Sequence, residues 1–118
     1  MKKTTQRRHR QLTDEALEMV ASQFRLLAEP MRLKLLNALN EGEMSVGELV
    51  AATQAGQANI SKHLIILLDA GIVAKRKEGV SVIYRIADKS IFELCELVCD
   101  RLGERLETQQ NRIRQLIG

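Results

Sequence analysis

From Gly56 to Gly71 the chain reads Gly-Gln-Ala-Asn-Ile-Ser-Lys-His-Leu-Ile-Ile-Leu-Leu-Asp-Ala-Gly, and helical periodicity sorts this stretch into two unlike faces. At about 100° per residue, Ile60, Leu64, Leu67 and Leu68 gather on one side while Ala58, Asn59, Lys62 and Ile66 lie opposite. The first side reads as core. The second offers short polar donors, a cation and small apolar groups, with no carboxylate before Asp69, and this suits a helix laid in the major groove of duplex DNA. Asn pairs bidentately with adenine, Ser donates or accepts, Lys reaches guanine or phosphate, and an alanine methyl meets the thymine methyl. Gly71 supplies the helix stop.

Composition narrows the setting. A chain of 118 residues, 45% hydrophobic and 28% charged, predicts one folded domain with its own core. Aromatics are only 3%, so the core falls to aliphatic residues, and the stacking platform that binds single-stranded nucleic acid is missing. Charge is unevenly placed. Residues 1–12 carry five cations and no acid, residues 56–87 carry five cations against two acids, and the segments between and after them are net acidic. That distribution is the footprint expected for a polyanion such as double-stranded DNA, although a basic tail taken alone also serves solubility. There is no apolar run long enough for a membrane span and no secretory signal, so a cytoplasmic location is expected. The two cysteines, Cys95 and Cys99, then belong to a reducing compartment rather than a disulfide scaffold.

Two regions follow: a basic flexible tail over 1–12, in which His9 lies among arginines and reads as tail rather than ligand, and a folded domain over 13–118. Thr13 with Asp14 and Glu15 starts a helix carrying Leu17, Val20, Phe24 and Leu27. Glu29-Pro30 breaks it and opens another through Leu33, Leu36 and Leu39 to Gly42. Ser45-Val46-Gly47-Glu48 is a capping box for a short helix over about 45–52. The turn Thr53–Gly56 joins it to the two-faced helix, which makes a helix-turn-helix. Residues 72–77 and 80–86 alternate as a β-hairpin around Glu78-Gly79, with Arg76 and Lys77 near its tip. Those cations suit a phosphate or a minor groove, or else protect a bare edge from aggregation.

Asp88 caps a last helix whose stripe runs through Ile91, Leu94, Cys95, Val98, Cys99, Leu102 and Leu106 and on to Ile113, Leu116 and Ile117. That is more apolar length than one small domain covers. The first and last helices together predict a two-fold homodimer interface, which sets two copies of the Gly56–Gly71 helix about one DNA turn apart on a palindromic site. The fold class expected is mainly α with a β-hairpin wing: a winged helix-turn-helix of about five helices.

Several segments are similar in order and spacing to one family. Leu27-Ala28-Glu29-Pro30-Met31-Arg32-Leu33-Lys34-Leu35-Leu36, Ser45-Val46-Gly47-Glu48-Leu49, Asn59 to Leu67, Gly71-Ile72-Val73 and the Arg76-to-Arg85 hairpin resemble the arsenic-repressor (ArsR/SmtB) family of bacterial winged-helix regulators over roughly residues 15–105. The resemblance implies a homodimeric repressor that binds its operator and releases it when an inducer binds. By position it places Gln57, Asn59, Ser61, Lys62 and His63 toward the groove or its phosphates, and Arg76 and Lys77 in the wing contact. His63, at the edge of the buried face, suits a phosphate or a capping role better than base reading.

Two inducer sites of that family are not expected here. Its zinc site on the last helix falls on Asp88, Ser90, Arg101 and Glu104, with an arginine and a serine where imidazoles would bind metal. Its thiolate site after Glu48-Leu49 falls on Val50, Ala51 and Ala52. No metal and no cofactor are therefore expected. Cys95 and Cys99 are helix neighbours and leave two readings. They hold arsenite or another thiophilic or redox inducer, with a third ligand from elsewhere, or they are small apolar residues that only pack. The acids Glu93, Glu96 and Asp100 work against reactivity, and a direct disulfide between the pair would strain the helix. An enzyme built on a reactive cysteine would need a base beside the thiol, and both histidines lie far away in sequence. A structural dimer without DNA binding is opposed by the basic tail with Lys62, Arg76 and Lys77.

Overall fold

A computed structural model describes residues 11–117. In chain order the elements are α1 (Asp14–Leu27), α2 (Pro30–Leu39), β1 (Met44–Ser45), α3 (Val46–Thr53), α4 (Gln57–Asp69), β2 (Val73–Glu78), β3 (Ser81–Ile86) and α5 (Ser90–Ile117). Most of the expected basic tail, His9 included, lies outside the described residues.

Local chemistry sets the helix ends. Thr13 Oγ1 accepts from the Ala16 amide at 3.1 Å to start α1. Glu29 caps α2 ahead of Pro30, its Oε1 accepting from the amides of Met31 at 2.7 Å and Arg32 at 3.1 Å. Both legs of the capping box form at α3: the Glu48 amide donates to Ser45 Oγ at 3.2 Å and the Ser45 amide to Glu48 Oε1 at 2.9 Å. α3 continues through Thr53, whose hydroxyl donates back to the Leu49 carbonyl, and ends at Gln54 in the left-handed region at φ 59°. The turn into α4 is therefore 54–56, one residue shorter than the sequence suggests.

The wing has three strands in the order β1-β3-β2, all antiparallel, where the sequence predicts a two-stranded hairpin. β1 adds Met44 opposite Tyr84 and Ser45 opposite Ile83. In the hairpin Glu78 pairs with Ser81, so the loop is Gly79-Val80 rather than Glu78-Gly79. Gly79 turns there at φ +63°, and Val80 is fully exposed at the tip.

The core joins Leu35, Leu36 and Leu39 of α2, Leu49 of α3, Ile60, Leu64 and Leu67 of α4, Ile72 and Val73 at the start of β2, and Ile91 of α5. In α2 Leu35 is fully buried while Leu33 is exposed; Leu68 of α4 is only partly covered. The two outer helices differ from the rest. α1 has no buried residue, and α5 buries Ile91 alone, with Cys95 resting on the core edge. At about 1.5 Å per residue, the 28 residues of α5 reach about 42 Å, and most of that length projects away from the core. The radius of gyration is 18.8 Å, whereas a compact chain of this length has about 13 Å. Along α5 apolar positions recur every seven residues, as Phe92, Cys99, Leu106 and Ile113, with Cys95, Leu102 and Leu116 three residues after the first, second and fourth of these. Among the described residues no helix is long and apolar enough to cross a membrane.

Candidate nucleic-acid interface

α4 is held in place by one face and leaves the other open. Ile60, His63, Leu64 and Leu67 are buried, whereas Gln57, Ala58, Asn59, Lys62 and Ile65 are exposed and Ser61 is half-buried. Gly56 begins the helix with no side-chain cap, and its first turn carries no acid. Among the described residues no side chain caps the amides at that end or offsets the positive end of the helix dipole in its first turn, an arrangement that favours an anion.

His63 is placed differently from its neighbours. It is 6% exposed, and its Nε2 lies 3.9 Å from Glu29 Oε1. Of the two roles expected for it, phosphate contact or capping, the imidazole stands beside the second: it faces inward, toward the cap of α2. Its Nδ1 is buried and has no hydrogen-bond partner among the described residues. Desolvation pushes the Glu29 carboxyl upward, but the amides of Arg32 and Met31 and the charges of His63 and Arg32 outweigh it, so the group titrates below its ordinary value of 4.5.

Alternation divides the wing cations between two faces, since successive side chains of a strand point to opposite sides. Lys75 and Lys77 fall with Val73, and Arg76 falls with Ala74 and Glu78. Arg76 is already engaged. Its Nη2 donates to Glu43 Oε1 at 2.6 Å and its Nη1 to Glu78 Oε2 at 3.1 Å. These bonds raise the Arg76 pKa, and the hydrogen bond and charge of Arg76 lower that of Glu43. Lys62, Lys75 and Lys77 are exposed and make no ion pair among the described residues. Lys75 is not among the residues the sequence singles out, and period-two alternation puts it on the same face as Lys77.

Cys95 is half-buried and Cys99 exposed; both are free thiols. They line an apolar cavity of about 910 Å³ between α1, α2 and α5, together with Phe24, Leu36, Phe92 and Leu102. Among the described residues no three His, Cys, Asp or Glu side chains cluster closely enough to hold a metal ion. At the start of α5, Asp88 Oδ1 accepts from both the amide and the hydroxyl of Ser90, so these residues cap the helix. Arg101 and Glu104 lie exposed on α5.

Two short helices joined by a tight turn, the second with an open polar face and a three-stranded wing beside it, define a winged helix-turn-helix regulator of the DNA-binding class. Residues 29–75 match the family described as bacterial regulatory protein, arsR family. The chain is 42% identical over 77 residues to the biofilm growth-associated repressor of Agrobacterium fabrum, covering 65% of this chain and 66% of that protein. It is 37% identical over 91 residues to the transcriptional repressor SmtB homolog of Synechocystis, covering 77% and 68% of the two chains. Its fold superimposes with a TM-score of 0.69 on the homodimeric winged helix-turn-helix DNA-binding domain of Mb0332 from Mycobacterium bovis, at 33% identity over 81% of this chain and 92% of that one. The chain belongs to the arsR family of bacterial regulatory proteins, which is not a family of enzymes.

Proposed function

We propose that this protein represses transcription as a homodimer by laying α4 in the major groove of a palindromic operator. The observation that carries the reading is the split of α4, whose buried face fixes the helix while Gln57, Asn59, Ser61 and Lys62 stand on or beside the open face with no acid before Asp69. Lys75 and Lys77 supply wing contacts to the flanking phosphates, and each phosphate neutralised contributes about 0.9 to the slope of log affinity against log salt. The homodimer is supported by the uncovered apolar faces of α1 and α5 and by the homodimeric state of the Mb0332 domain. Titration onto duplex DNA from upstream of its own gene tests this. Lys62→Glu is expected to abolish binding while leaving sedimentation and helix content unchanged, and retained affinity would remove the groove assignment.

A thiol-responsive release is the second reading, favoured by one observation: both cysteines open into the same apolar cavity at the root of α5. The same titration repeated with arsenite and with a mild oxidant decides it. Release of wild type but not of Cys95→Ser or Cys99→Ser supports thiophilic or redox induction. Tight binding indifferent to both treatments assigns the cysteines to packing.

A further inference from the structure

We propose that Glu43 is an internal phosphate mimic: it occupies the wing guanidinium of Arg76 in the free protein and must give way before Arg76 engages a DNA backbone. The inference rests on the DNA-binding reading above and adds to it a residue that restrains affinity.

Both terminal nitrogens of Arg76 are occupied by carboxylates, one of them 33 residues away in sequence. A planar guanidinium recognises carboxylate and phosphate through the same fork of donors, so Glu43 sits where a phosphate would bind. The sheet puts it there. β1 pairs Met44 with Tyr84, and continuing that antiparallel register by one residue brings Glu43 opposite Arg85, on the face that Arg76 shares across β3. Gly42 makes the approach possible, turning the chain out of α2 at φ +147°, in a region that favours glycine.

The effect on the wing is one-sided. Arg76 and Arg85 are offset by Glu43 and Glu78 on one face, while the opposite face shows Lys75 and Lys77. Cations already offset by carboxylates attract a phosphate backbone less than free ones do, so the Arg76 face contributes less to binding than the Lys75 and Lys77 face until the carboxylate is displaced. The latch is also releasable. Arg76 and Glu43 are each 43% exposed in their side chains, and exposed ion pairs are weak and screened by salt. The polyphosphate backbone is therefore a competent competitor for the guanidinium.

The test measures duplex affinity between low and moderate salt for wild type, Glu43→Gln, Arg76→Gln, the double variant, and Glu41→Gln as a control for the same change of net charge. Glu43→Gln is expected to bind about three- to ten-fold more tightly and to steepen the salt slope by about one phosphate, about 0.9. The gain should vanish in the double variant and be absent in Glu41→Gln. Unchanged or weakened binding in Glu43→Gln would overturn the proposal, as would a gain that survives removal of Arg76. Elution from a heparin column reads the same exchange without an operator: Glu43→Gln should leave at higher salt than wild type and Glu41→Gln. If no variant binds the duplex but the heparin difference persists and depends on Arg76, the α4 reading fails and the latch stands. If the heparin difference is absent, the latch fails whatever the duplex result.

Discussion

α4 and α5 are both amphipathic, yet they relate to their own chain in opposite ways. α4 has 13 residues and buries four of them against α2, α3 and β2. α5 has 28 and buries one. The apolar face of α4 is satisfied at home, so its other face is free to carry a polar surface. The apolar face of α5 is left facing solvent, with Leu106 at 61% and Leu102 at 54% exposure, and so is that of α1, where Phe24 is 57% exposed. Burial of apolar area drives both folding and association, and the same physics therefore assigns one helix to the interior and the other to a surface that needs a second partner.

The comparison breaks most visibly at Leu64, which is fully buried. Leu64→Ala should cost about 2–5 kcal/mol in chemical denaturation, by the same amount at every protein concentration. A loss under about 1 kcal/mol would mean that α4 is not anchored by its own chain. Next comes Leu106→Glu on the open stripe of α5. If that stripe is covered by a second copy, the wild-type thermal midpoint rises with protein concentration. In the variant this dependence should shift to about ten-fold higher protein concentration, sedimentation should show self-association weakened by the same factor, a change of about 1.4 kcal/mol, and the helix-turn-helix should keep its spectrum. Association equal to that of wild type would place the interface elsewhere. The smallest effect sharpens the contrast from within the self-contained half: Ser45→Ala removes one leg of the capping box and should lower stability by about 1 kcal/mol without altering association.

Much of this was legible because the signals are local. Thr13 and the Ser45–Glu48 box mark helix starts through bonds made within three residues, Pro30 marks one by its fixed φ, and the structure has a helix beginning at each. The two faces of α4 follow from angle alone. What escaped depends on distant partners. β1 is two residues long, too short for alternation to register, and exists because β3 offers it an edge. The helical angle sets His63 at the edge of the buried face, but the carboxylate it meets there, Glu29, stands 34 positions earlier, and the engagement of Arg76 depends on Glu43, so neither partner is written in the neighbouring residues. Lys75 is a different case: the period-two alternation that sets it with Lys77 is local and fully present in the sequence.

The seven-residue spacing along α5 has a geometric result of its own. Seven residues fall short of two turns of an ideal helix by about 20°, so the stripe through Phe92, Cys99, Leu106 and Ile113 drifts slowly around the helix instead of running parallel to its axis. A companion helix stays on this stripe only by winding about α5 with a left-handed twist. The spacing of apolar residues on α5 is thus a rule of admission: it selects companions by winding before any individual side chain is matched.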